Sequence, residues 1–133
     1  STDEFFRRLW PQMSLKNTVV LYTSDHGQSL LEGGYRNLHC SSGLTVHPGE
    51  GRVPMFAMTN VQPIRQAIEA ALPFSFNRTT HFELFPTLLT WMGYESDWIT
   101  ENYGRSILDT SQRPPRKFFI GGENNPWADA GDV

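Results

Sequence analysis

The chain has 133 residues, enough for one domain with a hydrophobic core, and its 38% apolar and 13% aromatic content excludes a disordered segment. Eleven Lys and Arg against 14 Asp and Glu give a net charge of −3, and the longest basic runs are the pairs Arg7-Arg8 and Arg116-Lys117, so no basic stripe for nucleic acid is present. The single cysteine, Cys40, excludes a disulfide within this sequence, and no apolar run approaches the roughly 20 residues of a membrane-spanning helix.

The acidic opening Ser-Thr-Asp-Glu is not a signal peptide, and so abrupt a start reads as the cut edge of something longer. Residues 3–13 predict a short amphipathic helix, capped by Thr2 or Asp3, with Phe5, Phe6 and Leu9 on one side and Pro11 as its limit. Lys16 and Asn17 make a turn. Residues 18–23 follow as a β-branched and aromatic strand without clean alternation, the pattern of a strand covered on both faces. A long glycine-rich loop occupies 24–52; loops of that length are usually functional or mobile.

Residues 53–59 (VPMFAMT) predict a second core strand with Pro54 near its beginning. Residues 63–72 predict a helix carrying Ile64, Ala67, Ile68 and Ala71 at helical spacing. Residues 80–92 predict a stronger one, with Phe82, Phe85, Leu88, Leu89 and Met92 on a broad apolar face and Gly93 as its stop. Residues 94–115 are polar and irregular, 117–120 (KFFI) predict a last strand, and 122–133 are expected to be a flexible tail. Strands alternating with helices imply an α/β layered architecture with a largely parallel sheet, in which ligands gather at the carboxyl ends of strands.

Asp25 and His26 stand at such an end, in TVVLYTSDHGQSLLEGG (18–34). A carboxylate and an imidazole side by side can reach one cation if Gly27 lets the backbone turn sharply. The donor set suits Zn²⁺ or Mn²⁺ better than Ca²⁺ or Mg²⁺. From the dipeptide alone a second interpretation stays open, in which Asp25 caps a turn and His26 is an ordinary surface residue.

The neighbours narrow the choice. Thr23 to Gly34 reads T-S-D-H-G-Q-S-L-L-E-G-G, followed by His39 and then Arg52-Val53-Pro54; further on come Phe85-Pro86-Thr87-Leu88-Leu89 with Gly93, and Gly104-Arg105-Ser106-Ile107-Leu108. In that order these pieces resemble the sulfatase-like branch of the alkaline phosphatase superfamily, whose members carry T-S-D-H-G-E-x-L-x-E-x-G, a histidine within about a dozen residues, a strand beginning R-V-P, a D-x-F-P-T-L-L-x-x-x-G helix and a late G-x-S-L-L segment. Within it, the Leu-Tyr-Thr-Ser before and the Ser-Leu after the motif look most like the bacterial phosphoethanolamine transferases, membrane-anchored enzymes with a periplasmic catalytic domain.

The resemblance implies an alkaline-phosphatase-like fold of which residues 1–133 form the C-terminal portion of the catalytic domain. It implies that Asp25 and His26 are metal ligands, for zinc or, failing that, Mn²⁺ or another divalent ion. His39 matches a catalytic histidine that contacts substrate or a second metal; His47, in the same loop, is a second substrate-binding candidate beside its plainer role as a solvated loop residue. The expected substrate is a phospholipid or a phosphate or sulfate ester. The family's threonine nucleophile and its companion glutamate lie far upstream of the motif, and the 22 residues before Thr23 leave no room for them. The expected partners are therefore the remaining part of the catalytic domain and, only through N-terminal segments missing here, the bacterial inner membrane at its periplasmic face.

A sulfatase- or phosphatase-type hydrolase of the same superfamily stays as an alternative, as does a non-catalytic binding relative, to which Gln28 and the missing upstream segment point; two residues depart from the family pattern. Gln28 stands where Glu is usual, which removes a charge near the metal. Cys40 follows His39 where Gly is usual, but Cys40-Ser41-Ser42-Gly43-Leu44 is not the C-x-P-x-R motif of formylglycine sulfatases, and a semi-buried structural thiol is the expectation. Glu32 braces the loop or approaches the metal. His81 is expected to belong to the first turn of its helix, Arg52 to a structural ion pair, and Trp91, Trp98 and Trp127 to core or interface packing rather than carbohydrate stacking.

Overall fold

The computed structural model describes residues 1–14, 16–31, 34, 46–115, 117–119 and 127–129. Helix α1 (Thr2–Leu9) is capped by Ser1, whose hydroxyl accepts from the Glu4 amide at 3.4 Å. Asp3 and Glu4 in its first turn and Arg7 and Arg8 in its last oppose the helix dipole at both ends. Pro11 tightens the chain into a 3₁₀ turn, Trp10–Gln12, so the helix expected over 3–13 is α1 plus this turn. Asn17, at φ 53°, makes the expected turn into the first strand.

Strands β1 (Val19–Thr23) and β2 (Met55–Thr59) form an antiparallel ladder running from Val19 opposite Thr59 to Thr23 opposite Met55. Side chains alternate across such a ribbon. On one face the rung partners Tyr22 and Phe56 stack at 5.0 Å, and the Phe6 ring of α1 meets them edge-on at 5.1 and 5.4 Å. Aromatic contacts between an amphipathic helix and one sheet face thus fix α1 against β1 and β2. The other face lies toward α2 (Gln62–Ser75), which starts with Pro63 in its first turn and buries Ala71 and Ser75.

The largely parallel sheet expected from the sequence is corrected here: among the described residues both pairings are antiparallel. A parallel neighbour needs a crossover, usually a helix, between the two strands. No α-helix lies between β1 and β2 among the described residues, and α2 follows β2 instead.

The helix expected over 80–92 begins as a 3₁₀ turn, His81–Glu83, and becomes α3 (Leu84–Trp91), which buries Pro86, Thr87 and Leu89. The stretch expected to be irregular contains α4 (Ser96–Tyr103), which packs against α3 through Ile99 and ends at Gly104, φ 80°. Beyond it the chain is stapled back by Arg113. This guanidinium is buried, pairs with the Glu83 carboxylate, and donates to the Ile107 carbonyl at 3.1 Å. The Thr87 hydroxyl donates to the Glu83 carbonyl at 2.6 Å and accepts from the Ile107 amide at 2.8 Å. The turn at 81–83 is therefore tied to both α3 and the 104–113 segment.

Strand β3 (Lys117–Phe119) pairs antiparallel with β4 (Trp127–Asp129). β4 falls inside 122–133, the stretch expected to be a tail, and Trp127 packs on Phe119 and Phe82, each at 5.5 Å. Among the described residues no helix is long and apolar enough to cross a membrane.

Candidate functional site

Past Thr23 the backbone leaves the ladder, and short-range hydrogen bonds shape the next four residues. The Ser24 hydroxyl donates to the His26 carbonyl at 2.9 Å, and the His26 amide donates to Asp25 Oδ1 at 3.0 Å. Asp25 Oδ2 then lies 3.8 Å from His26 Nε2. The imidazole is oriented from its other nitrogen: Nδ1 is 2.7 Å from the Gly27 carbonyl, which can only accept. In the neutral ring Nδ1 therefore carries the proton, and Nε2 turns its lone pair to the Asp25 side.

Two donors about 2.0–2.1 Å from one tetrahedral ion sit about 3.3 Å apart. The Asp25 and His26 atoms are wider than this by about half an ångström, within a small side-chain rotation. An imidazole N–H held by a backbone carbonyl is also the usual outer contact of a metal-bound histidine. The pair fits a divalent cation. Among the described residues no group of three or more His, Cys, Asp or Glu is placed to hold a metal, so the pair is part of a larger ligand set at most.

Asp25 has 87% of its side chain in solvent. The His26 backbone N–H, helped by the charge of the imidazole, holds its carboxyl below the usual carboxylate range. Here the chain keeps a negative charge in place at a strand end.

Gly27 explains how the turn stays put. The sequence expectation was a sharp bend; the structure instead shows a close approach. Its amide donates to the Glu50 carbonyl at 2.8 Å, and a Cβ at this position would stand 2.0 Å from the Gly49 carbonyl oxygen and 2.8 Å from that of Arg52. Only glycine lets the strand end dock on the 48–52 turn. His47 caps that turn, its Nδ1 accepting from the Gly49 amide at 3.0 Å. The site expectation for His47 thus meets a local structural task.

A cavity of about 910 Å³ opens beside the pair. Asp25, His26, Glu50, Arg52, His81 and Lys117 supply its ionisable lining, hydroxyl and amide side chains such as Thr80 and Asn77 add to it, and apolar walls come from β2, α2, α3 and β3. Its volume is within the range of small-molecule sites. His47 does not line it. His39, Glu32 and Cys40 lie outside the described residues.

His81 and Lys117 are the residues that sequence reasoning passed over. His81 begins an apolar helix pattern, and Lys117 opens a short strand 92 positions after Asp25. Only the packing of the 81–83 turn and of β3 brings them to the cavity that the pair also lines. Trp91 lines the same cavity, and its indole Nε1 is buried with no hydrogen-bond partner among the described residues.

Compared with known protein families, the chain matches the sulfatase family over residues 1–94, which takes in β1, the Asp25–His26 pair, β2, α2 and α3. The chain belongs to the sulfatase family. No curated protein and no solved structure matches it. Membership places this sulfatase-family chain in the alkaline phosphatase superfamily, whose members are hydrolases and transferases. It also points to an alkaline-phosphatase-like α/β fold, and sulfatase-family enzymes in general depend on a divalent metal.

Proposed function

We propose that this chain supplies part of the metal site of an enzyme that transfers a phosphoethanolamine, or similar phosphoryl-type, group to a cell-envelope acceptor. The observation that carries the proposal is the Asp25–His26 pair, whose Oδ2 and Nε2 lie 3.8 Å apart at a strand end. The phosphoethanolamine branch draws its support from the resemblance of Leu-Tyr-Thr-Ser-Asp-His-Gly-Gln-Ser-Leu to those transferases. In this proposal the ion is zinc, with Mn²⁺ or another divalent ion as the substitute. When bound, it supplies a Lewis acid that neutralises a phosphoryl oxygen and lowers the pKa of a coordinated hydroxyl.

The chain's own residues would divide the remaining work. Asp25 and His26 hold the ion. Arg52 and Lys117 line the same cavity and carry N–H donors suited to the anionic oxygens of an ester, while its apolar walls suit the hydrocarbon part of a phospholipid donor. His39 is assigned, from the resemblance, to protonating the leaving group and contacting substrate. His47 would act on substrate only through its ring Nε2, since Nδ1 caps the turn.

Residues 1–133 are proposed to be the C-terminal part of a catalytic domain. Among the described residues Ala71, Pro86, Leu89 and Ile99 are the buried apolar side chains, whereas Phe76 and Met92 are about two-thirds exposed, a surface that the rest of such a domain would cover. Anchoring in the inner membrane through N-terminal segments, with the site on the periplasmic side, completes the proposal.

Metal analysis of the full-length protein and of Asp25→Ala, followed by assays on a phosphodiester and an aryl sulfate, tests it. The expected result is stoichiometric zinc in the parent, zinc lost in the variant, and turnover of the phosphodiester. Preference for the sulfate ester would favour a sulfatase-type hydrolase, consistent with the family match. No transition metal in either protein would leave the binding relative that Gln28 suggests.

A further inference from the structure

We infer that His81 is a positioning residue for the Asp25–His26 pair, bracing the end of β1 through Thr23 from a turn that is itself pinned to the protein interior. The inference rests on the assignment of Asp25 and His26 as metal ligands, and it goes beyond that assignment by naming what holds them in place.

The contact begins at the Thr23 hydroxyl, whose oxygen lies 3.3 Å from His81 Nε2 and 3.2 Å from the Ser24 carbonyl. A carbonyl can only accept, so the Thr23 proton goes to Ser24 and the His81 N–H donates to Thr23. This fixes the peptide that leads into Asp25. The Ser24 hydroxyl carries the constraint one step further, to the His26 carbonyl at 2.9 Å.

A second contact meets the same rung of the ladder. Met55 is the partner of Thr23 in register, and the Thr79 hydroxyl lies 3.8 Å from Met55 Sδ. Residues 79 and 81 therefore grip both members of the last β1–β2 rung. Their own turn is held firmly: Glu83 pairs with buried Arg113, its amide donates to the Thr80 carbonyl at 3.1 Å, and the Phe82 ring packs on Trp127. The Glu83–Arg113 anchor is thus connected to the end of β1 through the His81 imidazole, beside the separate Gly27 contact to the Glu50 carbonyl.

Such a brace has a physical purpose. The Asp25 side chain is solvated, and a turn held by short-range bonds and the Gly27 amide contact lies toward the low-stability end of a fold. Ordering the ligands before a cation arrives removes that cost from binding, and outer contacts of this kind typically govern metal affinity by about 10–100-fold.

The test uses the full-length protein and four variants: His81→Ala, His81→Gln, Thr23→Val and the Thr23→Val/His81→Ala double. Amide hydrogen exchange is measured without metal, and Zn²⁺ affinity by chelator competition. His81→Ala should speed exchange at residues 26 and 27 while the amides of β1 and β2 keep their protection, and should weaken Zn²⁺ binding by about 10–100-fold without changing its saturating stoichiometry. His81→Gln, whose amide nitrogen reaches the Nε2 position, should recover most of both. The double variant should be no worse than the weaker single. Unchanged exchange in His81→Ala, or additive losses in the double variant, would overturn the inference. If the parent protein takes up no zinc, the metal assignment fails separately, and the exchange data alone still decide whether His81 braces the turn.

Discussion

Asp25 and Glu83 carry the same carboxylate in opposite surroundings. Asp25 stands in solvent at a strand end, where the His26 amide keeps its carboxyl below the ordinary range. Glu83 is buried, and burial pushes its carboxyl above the ordinary range against the pull of Arg113. The buried group is committed to Arg113, and its second oxygen is sealed from solvent and so out of reach of a ligand. The solvated group has its charge maintained by backbone and is open to a cation. Burial, more than residue type, separates the carboxylate that supports the fold from the one that can act.

The comparison breaks most visibly if the two partners of Glu83 are separated. Arg113→Met leaves a buried carboxylate without its cation and should cost about 3–5 kcal/mol in denaturant unfolding, while Arg113→Met with Glu83→Leu should recover most of that loss. Asp25→Ala should shift the unfolding midpoint of the metal-free protein far less than Arg113→Met does, and should remove the metal. If Asp25→Ala destabilised the metal-free protein as much as Arg113→Met, the separation of roles would be lost.

A smaller effect is expected at the two glycines that let elements meet around the site. Gly27→Ala drives a Cβ into the backbone carbonyls of Gly49 and Arg52, which cannot rotate away, and should cost about 1–3 kcal/mol together with most of the metal affinity. Gly51→Ala meets the Phe118 ring at 2.1 Å, a side chain, so Phe118→Ala in the same protein should relieve it. The same second change should do nothing for Gly27→Ala. Thermal unfolding of the four proteins distinguishes backbone from side-chain crowding.

Much of this was legible in the sequence, for identifiable reasons. β1, β2, α2 and α3 carry strong local patterns, and the motif at 23–34 placed Asp25 and His26 together at a strand end, where the structure puts them. α4 was missed because SDWITENY has only Trp98, Ile99 and Tyr103 to mark an apolar face, and its packing on α3 does more than its propensity. The sheet direction was misjudged because strand-helix alternation is a statement about order along the chain, whereas β1 and β2 pair with no helix between them among the described residues. His81 and Lys117 could not be found from spacing at all: they reach the cavity through tertiary packing, one by way of the Glu83–Arg113 pair and the other by way of Phe118 on Gly51.

The smallest effect is a pH dependence, in which a third carboxylate sharpens the contrast. The Ser111 amide donates to Asp109 Oδ1 at 2.7 Å and holds that carboxyl below its ordinary range. A carboxylate with a lowered folded value binds fewer protons folded than unfolded, so its stabilisation is complete above the ordinary carboxylate pKa and fades as pH falls through the folded one. Glu83 has the opposite sign: its raised value means a contribution that is present below the ordinary pKa and lost as pH rises through the folded one. Asp109→Asn keeps an acceptor for Ser111 but cannot ionise, and one exposed charge-assisted hydrogen bond is worth less than about 1 kcal/mol after solvent screening. Urea midpoints at about pH 6 and about pH 3 should therefore show the parent ahead of Asp109→Asn at the higher pH, with that lead reduced at the lower. A parent advantage that grew toward acid would mean that the Ser111 contact favours the protonated carboxyl, and Asp109 would then side with buried Glu83 rather than with solvated Asp25.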